Sequence, residues 1–530
     1  MSAELLLRAK KGPFKMAALR AHCHAEVEKG NAAQTVSLLL DLVESLAERV
    51  DRLEQQVGRL CRDKWGRSSE QLSTAQLHLA LTESPPIVPL LLPDNSDEAA
   101  ESSPKKKRPQ TRTLRKIPAH IPRITTLSEP DEAQKRCTDC GQDKTCFGSE
   151  TSEVLEWEPG GFRVEVTERR KYACRACQSG VVIGPGPDRV LDGGLPGPGL
   201  IAEVVVRKIK DHCPLERQSR IFTERFSMPL SPSTLLDWLA GAADVLRPLW
   251  QRIREQALLR EHLSLDDTPV RVLDKGHEKG VKRGHLGSFL SDGPMCFYEY
   301  TPDWKGGPIR ELLADFRGTL QSDGYPGLDA LYTKESGPVR AGCMAHARRK
   351  FHRAYEQGDL RAAAPLMLIK KLYEVERQAK EDRVDETERR RRRQEQSAPL
   401  MSRLREQIEA LSMQAVPKSP LGQACTYARR QWETLRIYLE DGAQGIDNNP
   451  TEQTLRPIAI GPKNWLFAGS DEGAERLAVL YTLVTSCQLA GILDPWAYLR
   501  DVLSKLSRGH LQSRIDELLP LHWKPAPPPR

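Results

Sequence analysis

The chain has 530 residues, with 79 Lys+Arg against 72 Asp+Glu and 39% hydrophobic residues. At roughly 150 residues per domain this length calls for three or four folded units, which excludes a single small binding module. No apolar run approaches the ~18 residues needed to cross a bilayer, and residues 1–25 scatter charge among their apolar positions, so the expectation is a soluble, cytoplasmic protein with no membrane partner.

In chain order, the first element is a helix. Apolar residues fall at Val36, Leu39, Val43, Leu46, Val50, Leu53, Val57 and Leu60. Steps of three and four over four heptads, with valine alternating with leucine, describe a coiled-coil seam of the kind that favours parallel dimers. A long amphipathic helix packed within its own chain is the alternative. The seam ends at Trp65-Gly66-Arg67-Ser68-Ser69-Glu70. A Pro-, Ser- and acid-rich stretch from Glu83 to Pro104 then turns into Lys105-Lys106-Lys107-Arg108, followed by Arg112, Arg115, Lys116 and Arg123. This is a linker carrying a basic arm. It suits phosphate neutralisation without base recognition, and it also suits a solvated tether.

Of the 12 cysteines, four form a pattern. Cys137-Thr-Asp-Cys140 and Cys174-Arg-Ala-Cys177 are two CxxC knuckles, and two such pairs read as the thiolate ligands of a tetrahedral structural zinc in a small zinc-ribbon-like unit. Cys146 lies close enough to be a spare ligand. After a Gly/Pro-rich hinge the chain reads as three helices, about Leu200 to His212, Leu215 to Phe226 and Pro232 to Leu246. The third starts with Ser231 as N-cap and Pro232 at the first helical position. The last two resemble a helix-turn-helix, which would bring Ser233, Thr234 or Asp237 near DNA; ordinary helix packing explains the pattern equally well.

From His262 the period changes to two. Leu263 and Leu265 share one face, and Ser264 and Asp266 the other. Further strands are expected at Gly287 to Leu290, Met295 to Thr301, Gly318 to Ser322 and Val339 to Cys343, with a helix around Ile309 to Phe316, an α/β pattern. The fourth strand ends on Asp323-Gly324. A third acid, Glu452, follows in Asp447-Asn-Asn-Pro-Thr-Glu452, where Asn449, Pro450 and Glu452 also fit a capping box that would leave Glu452 at a helix N-terminus. Spacing alone leaves both readings of these acids open.

These residues resemble the transposases of the insertion sequence 66 family, bacterial mobile-element enzymes of the DDE type. The resemblance runs from Trp65-Gly-Arg-Ser-Ser-Glu70 through the double CxxC segment, Pro214-Leu-Glu-Arg217, Ser233-Thr-Leu-Leu-Asp-Trp238, Asp266-Asp-Thr-Pro-Val270, Ser322-Asp-Gly-Tyr325 and Gly342-Cys-Met-Ala-His-Ala-Arg-Arg-Lys-Phe351. It ends in Asp447-Asn-Asn-Pro-Thr-Glu452, Arg456-Pro457 and Lys463-Asn-Trp-Leu-Phe-Ala-Gly-Ser470. The family usually has Asp-Glu-Thr-Pro where this chain has Asp266-Asp267-Thr268-Pro269.

The resemblance implies a catalytic triad of Asp266, Asp323 and Glu452 on an RNase H-like core, holding two Mg²⁺ or Mn²⁺ ions for DNA cleavage and strand transfer. It also implies accessory roles for Asp267 and His346, the latter in Cys343-Met-Ala-His346, although a buried structural histidine remains open. DNA contacts are expected from Lys105, Lys106, Lys107, Arg108, Arg456, Lys463 and Asn464. The partners implied are double-stranded DNA, at least one further copy of the chain, and accessory proteins of the element. A DNA-binding protein that recognises element ends without catalysis is the other functional reading.

The step from Asp323 to Glu452 is too long for a bare core, so residues 345–440, rich in Ala, Leu, Glu and Arg, read as a helical insertion. Its run Arg389 to Arg393 fits either DNA phosphates or a solvated face. The full division expected is a helical oligomerisation region over 1–72, a disordered linker with the basic arm over 73–129, a zinc-binding domain over 130–192, a helical DNA-binding segment over 193–258, a first core part over 259–344, the insertion over 345–440, the last core part with Glu452 over 441–482, and a C-terminal helical region over 483–530.

Overall fold

A computed structural model describes residues 117–525, except 177–179, 304 and 334–336, together with parts of 24–40. Most of the expected zipper seam, the basic residues Lys105 to Arg108, and Cys177 lie outside the described residues. Two compact units emerge. One holds the described residues up to Ala345 and from Thr434 onward; the other holds His346–Glu433 with the N-terminal stretch.

The first unit begins with a sheet. Strand β1 (Arg123–Ser128) runs parallel to β3 (Gly161–Ala173), which pairs antiparallel with β2 (Thr145–Glu158) and, at its far end, with β4 (Val182–Ile183). The β2–β3 turn uses Gly160 at φ +113°, a conformation that suits glycine. The expectation of a linker reaching 129 is corrected here, because residues 123–128 are a strand and Arg123 pairs with Glu153 at 3.1 Å. Alternation could not reveal β1, since nearly all of its residues are exposed and it is held mainly by backbone pairing to β3.

Three helices follow: α1 (Pro198–Ile209), α2 (Leu215–Phe226) and α3 (Pro232–Leu258). Ser231 caps α3 as expected, its hydroxyl accepting from Thr234 N at 3.1 Å. The helix runs well past Leu246, through Pro248, because Leu249, Trp250, Ile253 and Ala257 prolong its buried stripe. The zinc segment is no isolated module. Trp157 and Phe162 at the base of the hairpin pack edge-to-face against each other at 5.1 Å, and Phe162 meets Phe222 of α2 at 5.2 Å. Glu156, buried, accepts the backbone N–H of Leu200 at 2.8 Å and so caps α1, whose own N-terminal residues offer no side-chain acceptor.

Next comes a five-stranded sheet of β5 (His262–Leu273), β6 (Val281–Ser291), β7 (Cys296–Thr301), β8 (Thr319–Gln321) and β9 (Val339–Ala341), with α4 (Gly307–Leu312) between β7 and β8. Its order is β7-β6-β5-β8-β9. The first three strands are antiparallel neighbours, while β8 runs parallel to β5 and β9 parallel to β8. Phe289 and Phe297 stack at 4.6 Å within the apolar face.

The second unit is helical, as expected of the insertion: α5 (Met344–Glu356, beginning in the first unit), α6 (Ala363–Glu381), α7 (Glu386–Arg392), α8 (Ala398–Gln414) and α9 (Pro420–Arg430). The arginine run here is largely engaged within the protein. Arg391 and Arg392 pair with Glu388, and Arg393, 1% exposed, makes a two-pronged bond to Glu376 at 2.6 and 2.7 Å. Breaking a buried pair from one side leaves an uncompensated charge, at a cost of about 3–5 kcal/mol. Arg393→Ala is therefore expected to lower the denaturation midpoint of this unit markedly, whereas Arg403→Ala, exposed on α8, leaves it nearly unchanged; urea melts of the two variants check this.

The chain returns to the first unit with α10 (Asn449–Trp465), α11 (Asp471–Leu489) and α12 (Pro495–Ser507). A boundary at 482/483 falls in the middle of α11. That helix has no polar stripe over its second half, because residues from Leu477 to Cys487 are buried around the whole circumference.

Candidate active site and zinc knuckle

The placement of the three acids follows from strand register. Ser264 of β5 stands beside Gln321 of β8 in a parallel pair, their side chains 3.4 Å apart. Two residues further on the same face of each chain come Asp266 and Asp323, so the register that pairs 264 with 321 puts the two aspartates abreast. Gln321 is buried and donates to the carbonyls of Gly342 and Gly445, which fixes the row beneath them. Gly324 at φ +86° turns the chain immediately after Asp323.

Glu452 arrives from α10. Ser288 is the cross-strand partner of Asp266, and its hydroxyl meets that of Thr454 at 2.7 Å. The Tyr298 hydroxyl donates to the Thr454 carbonyl, also at 2.7 Å, so the first turn of α10 is pinned over the face that carries Asp266. The capping-box reading of Glu452 meets a competitor. The Asn449 N–H, which a capping glutamate would take, goes to Asp447 Oδ1 at 3.1 Å, and Asn449 Nδ2 goes to Asp447 Oδ2 at 2.8 Å. Burial and the negative charges of Glu452, Asp323 and Asp267 push the Asp266 carboxyl up to about 7. A partly buried site with several carboxylates is the donor set that hard divalent cations take.

Asp267 lies on the other face of β5, where it bonds His285 Nδ1. Alternation along the strand thus separates it from Asp266. His346 sits in the first turn of α5, with its Nε2 3.2 Å from Arg349. Cys343 is fully buried, and its thiol donates to Asn448 Oδ1 at 2.8 Å, so it buttresses the segment leading into α10. Arg456 and Lys463 are exposed on α10, four and eleven residues beyond Glu452, which sets all three on one stripe; Asn464 is half-buried and off it. Ser288, Thr454 and Gln321 carry no mark in the sequence, since no spacing rule singles them out, whereas Asp447 heads the motif that ends in Glu452.

In the N-terminal sheet of the same unit, Cys137, Cys140 and Cys174 hold their sulfurs within 4.8 Å of one another. The first knuckle closes through Gly141 N donating to Cys137 O at 2.9 Å, with Gly141 at φ +72°. Three converging thiols, two of them buried, fit a soft tetrahedral ion. Cys146 is not in this cluster; it is exposed, with its thiol toward Gly148 O.

Comparison with known proteins bears on the family of the chain. The profile of the Transposase IS66 family matches residues 193–476, and that of the zinc-finger binding domain of transposase IS66 matches residues 134–178. The IS66 C-terminal element matches 482–521, and a profile described as Transposase C of IS166 homeodomain matches 52–126. Two uncharacterized proteins of Sinorhizobium fredii (strain NBRC 101917 / NGR234) are similar over most of their length. Protein y4jD is 32% identical over 91% of this chain and 96% of its own, and y4hP is 32% identical over 89% of each. With a family profile spanning more than half of its length and relatives matched nearly end to end, the chain belongs to the IS66 transposase family.

Proposed function

We propose that the protein is a DDE-type transposase that binds the ends of its own element and cuts and joins DNA with two divalent ions, Mg²⁺ or Mn²⁺, held by Asp266, Asp323 and Glu452. What supports the reading is that the β5–β8 register and the pinning of α10 bring Asp323 and Glu452 to the neighbourhood of Asp266, whose carboxyl feels both charges. The strand order supports calling this core RNase H-like.

Bound at such a site, the two ions would activate the attacking oxygen and stabilise the leaving one. The chain's own residues do the positioning. Gln321 and Gly324 set Asp323 at the strand end, while Ser288 and Thr454 hold Glu452 over Asp266. Arg456 and Lys463, on the stripe that begins at Glu452, face the phosphates, with Asn464 beside them. Cys177, which closes the second CxxC pair with Cys174, completes the zinc set. The zipper region supplies at least a dimer, the basic arm at Lys105 to Arg108 holds duplex DNA without base preference, and accessory proteins of the element join the assembly. Among the described residues no helix is long and apolar enough to cross a membrane. The protein works in the cytoplasm on the nucleoid.

Strand-transfer assays in Mg²⁺ with Asp266→Asn, Asp323→Asn and Glu452→Gln test the reading. Each change is expected to abolish joining while DNA binding persists. Joining that survives all three refutes the catalytic assignment and leaves the alternative of a DNA-binding protein without catalysis.

A further inference from the structure

Beyond Pro269 and its partner His285, where β6 parts from β7, the β5 and β6 strands continue as a two-stranded ledge to the turn at residues 274–280. In its register Arg271 stands directly opposite Arg283, and both are exposed. Like charges at facing positions of an antiparallel pair repel, because their β-carbons lie only about 4.5–5.5 Å apart. Among the described residues neither arginine takes an acidic partner, and Lys275 and Lys279 at the turn take none either. Several other arginines of the chain are engaged by acids. Arg252, Arg377, Arg391, Arg393, Arg405 and Arg514 are all ion-paired. The contrast holds within the ledge itself, where Lys282 is consumed by Asp471 at 2.6 Å and so ties the ledge to the start of α11.

The ledge is also anchored to α10. Ala468 N donates to the Arg271 carbonyl at 2.8 Å, closing the open edge of β5 with the segment that follows Trp465. Gly284 faces the Tyr300 ring so closely that a Cβ there would lie 2.5 Å from it, which presses the base of the ledge onto β7. The facing arginines are therefore held on a fixed support. Arg271 stands five residues beyond Asp266 and, by strand alternation, on the face of β5 that carries Asp267, while Val270 and Val272 are buried on the other face.

We propose that the β5–β6 ledge is a phosphate clamp for duplex DNA, in which Arg271 and Arg283 grip the backbone of a segment outside the acid site, with Lys275 and Lys279 extending the grip. This deepens the transposase reading and rests on it. Guanidinium groups make two-pronged, charge-assisted bonds to phosphate. The anion would relieve the repulsion that the free protein carries.

The test uses the full chain and any linear duplex, since backbone contacts carry no sequence information. Binding is measured over a series of salt concentrations for the wild type, Arg271→Gln/Arg283→Gln and Arg271→Lys/Arg283→Lys. The glutamine pair is expected to weaken binding and to flatten the slope of log K against log salt by about 1.8, at ~0.9 for each phosphate no longer neutralised. The lysine pair keeps most of the slope. The melting temperature of the DNA-free glutamine variant should match or exceed that of the wild type, because a repulsion has been removed, whereas a merely structural pair of arginines would melt lower when replaced. An unchanged slope with glutamine, or a lower melting temperature for that variant without DNA, overturns the clamp. Asp266→Asn run alongside separates the two proposals: it should lose strand transfer and keep the wild-type slope, so the clamp can fail while the catalytic reading stands, and the reverse.

Discussion

Asp266→Asn is expected to cut strand transfer by about 10³-fold or more and, in the same protein, to raise the melting temperature measured in EDTA at pH 8. The first effect follows from removing a carboxylate from the proposed site, at which bound ions would supply several kcal/mol of charge stabilisation, each ~1.4 kcal/mol being tenfold in rate. The second follows from the charge crowding around this side chain. Its carboxyl is pushed from an ordinary 3.8 up to about 7 by burial and by Glu452, Asp323 and Asp267.

A carboxyl whose value is raised on folding binds its proton more tightly in the folded chain. It therefore contributes full stability below about pH 4 and loses that contribution progressively as pH rises toward 7. The loss amounts to ~4 kcal/mol at most, at about 1.4 kcal/mol for each tenfold change in proton affinity. Asparagine, which does not ionise, escapes this loss, so the variant should melt above the wild type at pH 8 and level with it at pH 4. Added Mg²⁺ should raise the wild type and leave the variant nearly unmoved. A variant that melts lower at pH 8 in EDTA would contradict the crowding on which the site is argued.

The second large effect concerns the cysteine knuckle. The purified chain is expected to carry one zinc, and Cys174→Ser to carry none, because three sulfurs already converge and the loss of a buried one opens the shell. Structural zinc supplies up to ~10–16 kcal/mol of apparent folding free energy in small units. The damage should nevertheless stay local. The base of the β2–β3 hairpin shares its core with α2 through Trp157, Phe162 and Phe222, which does not depend on the metal. Hydrogen exchange should therefore show lost protection around residues 137–146 and 173–174, with Leu155 and Val164 still protected. A metal-free wild type with full protection at the knuckle would overturn the zinc assignment.

What can be read from the sequence is local. Two-residue alternation from His262 distinguishes Asp266 from Asp267, and the two aspartates indeed stand on opposite faces of β5. The Ser231-Pro232 cap and the CxxC pairs are equally legible, because each is set by residues within one turn. Long-range register is not. Nothing between residues 264 and 321 in sequence announces that they stand side by side.

The sequence pattern predicts strand β6 only from Gly287 to Leu290, whereas it runs from Val281 to Ser291. Two glycines interrupt its alternation, and Gly284 is there for the Tyr300 ring rather than for a turn. Glu452 is ambiguous in sequence for a related reason. A capping glutamate and a metal-facing one look alike there, and only the Asp447 carboxylate on the Asn449 amide tells where the capping duty falls.

All of the proposed chemistry depends on Asp266, Asp323 and Glu452 forming one divalent-cation site. The most direct measurement is an anomalous difference map from crystals of the full chain soaked in Mn²⁺. Two peaks about 4 Å apart are expected among these three carboxylates, and both should vanish in Asp266→Asn crystals. Peaks bound elsewhere, with none at these carboxylates, would contradict the assignment.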